Sequence, residues 1–114
     1  VYKGMAGFFI VRDAEEAALN LPSGDYEVPL IIQDKRLDNS NQLIYSPTMN
    51  DVMTGWLGDR IVVNGIYAPY LSVATRFYRF RVLNGSNGRI YNLALSNSAN
   101  FYVIGSDGGL LSAP

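Results

Sequence analysis

Cysteine and histidine are both absent from this 114-residue sequence. Without cysteine there is no disulfide framework, no thiolate metal site and no cysteine nucleophile. Without histidine the usual zinc and copper ligand sets are missing, and so is imidazole acid–base catalysis. A surplus of one charge is missing too: 9 Lys and Arg face 10 Asp and Glu, a formal net charge of −1. A nearly neutral chain is poorly suited to nucleic acid or an acidic membrane. No long apolar run occurs, and residues 6–11 fall far short of the ~18 that suggest a membrane span. What remains is 48% apolar and 12% aromatic, with Tyr the leading aromatic at 8 residues. That supports one globular domain with a core and argues against bulk disorder.

The pattern is mostly β. Residues 7–11 read as a short buried strand. Residues 13–18 form the one good helical stretch, with Asp13 placed to cap and Glu16 three residues on. Residues 26–37 read as a longer strand, in which Pro29 demands a start or an edge because it has no amide donor. A turn at 38–41 sends residues 42–45 back as a hairpin arm, and 46–58 read as a loop. Strands are then expected at 59–63, 70–73, 77–83, 89–96 and 101–104. Asn-Gly pairs at 64, 84 and 87 mark tight turns, since both residues accept positive φ. Short strands with regular turns indicate an all-β, antiparallel sandwich. Alternation puts Tyr78, Phe80 and Val82 on a core face and Arg79 and Arg81 on the other. Phe80→Ala is then expected to cost roughly 3 kcal/mol, as for a buried aromatic.

Few residues suggest chemistry. Arg76, Arg79, Arg81 and Arg89 lie among aromatics, a pattern that suits single-stranded nucleic acid. The alternative is pairing with carboxylates such as Asp59 and Asp107, or with a neighbouring domain, and the neutral charge favours it. Met49 and Met53 flank a loop and offer two thioethers, weak metal candidates for Cu(I). Their ordinary role is adaptable apolar cover. The run from Gly105 to Gly109 lacks the lysine and helix of a phosphate loop, so Asp107 is a turn residue. Asp34, Asp51 and Asp59 form no acid–base pair that spacing can identify. Asn84-Gly85-Ser86 fits a glycosylation sequon but falls in an expected turn. No catalytic or cofactor-binding residue is assigned.

Several segments resemble the multicopper oxidases, in particular bacterial laccases and bilirubin oxidases. Residues 2–11 resemble the last strand of that family's first cupredoxin domain. Leu21-Pro22-Ser23-Gly24-Asp25-Tyr26-Glu27-Val28-Pro29-Leu30-Ile31-Ile32-Gln33-Asp34 resembles the entry into the second. Asp59-Arg60-Ile61-Val62-Val63-Asn64-Gly65, Pro69-Tyr70-Leu71, Tyr78-Arg79-Phe80-Arg81-Val82-Leu83-Asn84-Gly85-Ser86-Asn87 and Ile104-Gly105-Ser106-Asp107-Gly108-Gly109-Leu110-Leu111 follow in order. Only residues 42–58 are vague. The resemblance implies a cupredoxin-like Greek-key β-sandwich, partial here. It would comprise the last strand of domain one (1–12), a linker (13–22) and the front of domain two (23–114). It also implies a parent that oxidises substrate at copper, reduces O₂ to water and is exported, to the periplasm or beyond. Such coppers sit in His-x-His and His-Cys-His segments, so no ligand role carries over. Expected partners are the flanking cupredoxin domains and, for the piece alone, further copies of itself. Neither nucleic acid nor membrane is expected. A redox-dead scaffold of the cell envelope with the same fold is the competing reading.

Overall fold

A computed structural model describes residues 1–114. Asp13 starts the first helix, α1 (Ala14–Ala18), by accepting the Glu16 amide on Oδ1 at 2.7 Å. The Glu16 side chain does not return the bond, because it is engaged by arginines on a distant strand. After a single 3-10 turn at Gly24–Tyr26 the chain enters β1 (Glu27–Lys35). Later come β2 (Arg60–Val63), β3 (Ile66–Tyr67) and β4 (Arg79–Asn84). These four make one sheet in the order β3-β2-β1-β4. A separate hairpin, β5 (Gly105–Ser106) and β6 (Gly109–Leu110), turns at Asp107-Gly108.

The sheet is mixed. β2 and β3 run antiparallel as expected, but β4 lies parallel to β1, from Glu27 opposite Arg79 to Ile32 opposite Asn84. Parallel neighbours need a long crossover, and residues 36–78 supply it. Pro29 occupies β1 where β2 does not reach, since β2 pairs only from Ile32 onward. There Asn64 stands in for a strand: its Oδ1 accepts the Ile31 amide at 2.8 Å and its Nδ2 donates to the Pro29 carbonyl at 3.0 Å. By alternation the missing donor of Pro29 faces this same open flank.

Of the three Asn-Gly pairs, only Asn64-Gly65 is the expected turn, with φ of 50° and 80° joining β2 to β3. Neither Gly85 nor Gly88 adopts positive φ. Gly85 instead prolongs the ladder through its amide to the Ile32 carbonyl, and Asn84 ties the following loop to Ser86 and Arg89. The sequon asparagine is thus held by its own amide hydrogen bond.

Residues 46–58 are not all loop. They contain α2 (Met49–Thr54), closed by a reciprocal capping box between Thr48 and Asp51. A threonine followed three residues later by aspartate was the legible signal. The expected arm at 42–45 does return, through the Leu37–Leu43 bridge. Strands expected at 70–73, 89–96 and 101–104 are not formed, and neither is the one at 7–11. Residues 7–12 make no backbone hydrogen bond. β propensity alone does not make a strand; a paired neighbour does.

The side-chain partition along β4 is as expected, but its burial is reversed. Arg79 is 8% exposed, while Phe80 is 37% exposed and Val82 more so. The reason is which face is covered. The arginine face, shared with Glu27, Gln33, Lys35 and Val62, lies under the N-terminal segment and α1. The opposite face carries Val28, Leu30, Ile61, Val63, Phe80 and Val82 and is only partly covered. We therefore expect Phe80→Ala to cost about 2 kcal/mol, below the range for a fully buried aromatic. Arg79→Ala should cost at least as much, because it strips a buried partner from Glu16. Denaturant midpoints of the two variants check the order; a near-neutral Arg79→Ala would contradict the covered face.

Candidate functional site

Three side-chain assemblies hold the sheet's surroundings in place. The first is ionic. Glu27 at the start of β1 receives Arg12 at 2.7 Å and Arg81 at 2.5 Å, while Glu16 of α1 receives Arg79 at 2.6 Å and Arg81 at 3.0 Å. Burial alone would push the Glu27 carboxyl up, but hydrogen bonds from Arg12 and Arg81 outweigh it and hold it below the ordinary range. Of the four arginines expected to pair with carboxylates such as Asp59 and Asp107, Arg79 and Arg81 pair instead with Glu16 and Glu27, and Arg89 with Asp34. Those partners sit more than fifty residues away in sequence. Arg76 has no carboxylate and lies over the Tyr26 ring at 3.9 Å.

The second assembly is aromatic. Tyr2, buried, packs against Tyr45 and edge-on to Trp56, with centroids 5.2 and 5.7 Å away. Its hydroxyl donates to the Ile44 carbonyl and accepts the Arg36 amide, both at 2.8 Å. Lys35 donates from Nζ to the Tyr2 carbonyl, and burial draws its ammonium below the usual lysine range. Arg36 lies 4.0 Å over Trp56, donates to the Leu57 carbonyl and pairs with Asp51 at 3.0 Å. One arginine thereby fastens α2 to the end of β1. Neither Tyr2 nor Trp56 was singled out from sequence, because nothing local marks a docking aromatic.

The third is a buried polar hub. Asp34, 2% exposed, accepts on Oδ2 from the Gly58 amide at 2.6 Å and from Arg89 Nε at 2.8 Å. Arg89 also donates to the Gly58 carbonyl at 2.6 Å. The Ser86 hydroxyl accepts the Asp34 amide and lies 2.6 Å from the Tyr91 hydroxyl. Burial would raise the Asp34 carboxyl, but Ser86, Arg89 and the Gly58 amide together hold it low. Buried and held in its ionised form by donors to Oδ2, with Oδ1 left unpartnered, the Asp34 carboxylate is a strut between β1 and two loops.

Met49 and Met53 stand four apart on α2, each almost fully exposed, so they share one side of a helix end. No group of three or more His, Cys, Asp or Glu side chains converges on a point that could hold a metal ion. The residues present do not fit a copper centre, which takes imidazole and thiolate, and two thioethers on a surface turn do not replace them.

No family model matches the sequence. Individual relatives do. The chain is 45% identical to a laccase of Bacillus subtilis (strain 168) over 97% of its length, and 47% identical to the cell division protein FtsP of Xenorhabdus nematophila over all of it. Among solved structures, a variant of the McoA multicopper oxidase from Aquifex aeolicus superposes with a TM-score of 0.83, at 46% identity over 96% of the chain. The chain belongs to the multicopper oxidase family. Its sheet is the family's cupredoxin-like β fold, here with mixed strand directions. The chain spans about a quarter of the length of these relatives: 23% of the laccase, 24% of the FtsP protein and 25% of the McoA chain. No helix is long and apolar enough to cross a membrane.

Proposed function

We propose that this chain is a non-catalytic, second-domain part of a laccase-like multicopper oxidase. In that reading its parent couples substrate oxidation to reduction of O₂ to water, with copper bound in other domains. The observation that carries it is the combination of 45% identity to a laccase across nearly the whole chain with a sequence devoid of histidine and cysteine. The chain's own work is then mechanical. It sets a rigid sheet, fixed by the Asp34–Arg89 and Glu16–Glu27–arginine contacts, between flanking cupredoxin domains. Those domains are its proposed partners, and its partly open apolar face is where one would pack. Neither nucleic acid nor membrane is a partner in this reading. The parent is exported, to the periplasm or the extracellular space.

A second reading has its own support. Relatives named cell division protein FtsP match the entire chain at up to 47% identity. The parent would then be a cell-envelope scaffold with a cupredoxin fold and no oxidase activity. Copper content and oxidation of a phenolic dye by the full-length polypeptide separate the two: copper with turnover supports the oxidase, and neither supports the scaffold.

The 114-residue chain itself should retain no stoichiometric copper after Cu(II) loading and desalting, and should show no blue absorption. Carboxylates and thioethers alone bind this metal too weakly to survive the wash. One firmly held copper per chain would refute the reading and revive Met49 and Met53 as ligands.

A further inference from the structure

Asn64, Asn84 and Asn87 each precede a glycine. That pairing protects an asparagine least, because a glycine without Cβ leaves its amide nitrogen open to the preceding side chain. The glycine nitrogen attacks the asparagine Cγ, the side-chain nitrogen leaves as ammonia, and a cyclic succinimide closes. Water then opens the ring at either carbonyl, giving aspartate or isoaspartate. The step needs a side chain free to swing towards the glycine nitrogen, and the fold grants that freedom unequally. Asn64 is held at both ends of its amide, by the Ile31 amide at 2.8 Å and the Pro29 carbonyl at 3.0 Å. Asn84 accepts from the Ser86 amide at 3.0 Å and donates to the Arg89 carbonyl at 2.7 Å. The Gly85 nitrogen it would need is engaged with the Ile32 carbonyl. Asn87 is exposed, its side chain makes no hydrogen bond, and neither does the Gly88 amide.

We propose that Asn87 is the site of spontaneous deamidation in this chain, and that isoaspartate formed there loosens the Asp34 hub. Asn87 lies in a short tie between two anchors. Ser86 accepts the Asp34 amide on its hydroxyl, and Arg89 pairs with the Asp34 carboxylate. Between them Gly88 rests on Gly55, so closely that a Cβ on Gly88 would stand 3.3 Å from the Gly55 Cα. Isoaspartate routes the main chain through its own Cβ and lengthens the tie by one methylene. Gly88 and Arg89 then cannot both keep their seats against residues 55–58, which close packing leaves no room to accommodate. Aspartate adds the negative charge without lengthening the chain, so Asn87→Asp is the reference for charge alone. The inference is independent of whether the parent is an oxidase or a scaffold, because the hub lies wholly within this chain.

The test is to incubate the 114-residue chain at mildly alkaline pH, both folded and in guanidinium chloride, and to map the products by tryptic digestion and mass spectrometry. Peptide 61–76 reports Asn64, and fragmentation of peptide 82–89 separates Asn84 from Asn87. In the folded chain Asn87 should deamidate roughly tenfold or more faster than either of the others, the factor set by breaking two ordinary hydrogen bonds. In denaturant the three rates should converge. The isoaspartyl fraction, isolated by ion exchange, should unfold at a lower temperature than both the unaltered chain and Asn87→Asp. Asn64 or Asn84 reacting as fast as Asn87 in the folded chain overturns the assignment. So does an Asn87 rate that rises on unfolding as much as theirs. An isoaspartyl fraction as stable as Asn87→Asp overturns the effect on the hub.

Discussion

Gly58→Ala should unfold more easily than any other single methyl addition in this chain. A Cβ at Gly58 would stand 2.3 Å from the Lys35 nitrogen, 2.6 Å from the Asp34 carbonyl carbon and 2.7 Å from that of Lys35. All three are backbone atoms of β1, so no rotamer change relieves the clash. The neighbouring bonds resist any retreat. Gly58 donates to Asp34 and accepts from Arg89, and the next amide, of Asp59, donates to the Lys35 carbonyl. Overpacking of this kind costs about 3 kcal/mol. For a domain of this size that is a large share of the roughly 5–15 kcal/mol of total stability, and should lower Tm by about 10 °C. Gly108→Ala is the control, since its Cβ would meet nothing within 4 Å. Thermal unfolding of the two variants should differ sharply. A Gly58→Ala protein as stable as Gly108→Ala would mean that the loop does not rest against β1.

The second large effect is expected at Asp34. Removing its carboxylate leaves the Gly58 amide and Arg89 without their shared acceptor. Loss of one member of a fully buried pair costs about 3–5 kcal/mol, and Arg89, one-third exposed, recovers part of this from water, so about 3 kcal/mol is expected for Asp34→Ala at neutral pH. The effect should depend on pH in a definite sense. The native carboxyl pKa lies below its unfolded value, so the unfolded chain binds more protons as acid is added. The ionised carboxylate therefore contributes fully above the unfolded value of about 3.9. That contribution is lost as pH falls through the lower native value. Glu27 adds to the same acid limb, its carboxyl being lowered likewise. Urea unfolding across this range should show the unaltered chain losing stability with acid while Asp34→Ala loses less. A constant gap between them at all pH values would mean that the hub does not depend on the charge of Asp34.

Local features of the fold were legible because their causes are local. Asp13 caps α1 by reaching three residues ahead, and the 42–45 arm returns through a turn of four residues. Asn64-Gly65 turns because both residues accept positive φ. The capping box at Thr48 and Asp51 is equally local, but it lies within a segment of low periodicity that reads as loop.

The absence of histidine and cysteine excluded imidazole and thiolate ligands before any fold was known, since ligand type is a property of composition. The ordered motifs from Leu21 to Leu111 already pointed to the multicopper oxidases. Tertiary structure alone decided the rest. The parallel pairing of β1 with β4 joins residues about fifty apart, and no short-range pattern encodes it. Alternation along β4 separated two faces but could not say which one is covered, because cover comes from α1 and the N-terminal segment. The Asp34–Arg89 hub likewise spans 55 residues, and each of its members alone looks like an ordinary surface charge. Local chemistry is written residue by residue, whereas burial and ion pairing depend on which distant segments the assembled sheet brings within a hydrogen bond of each other.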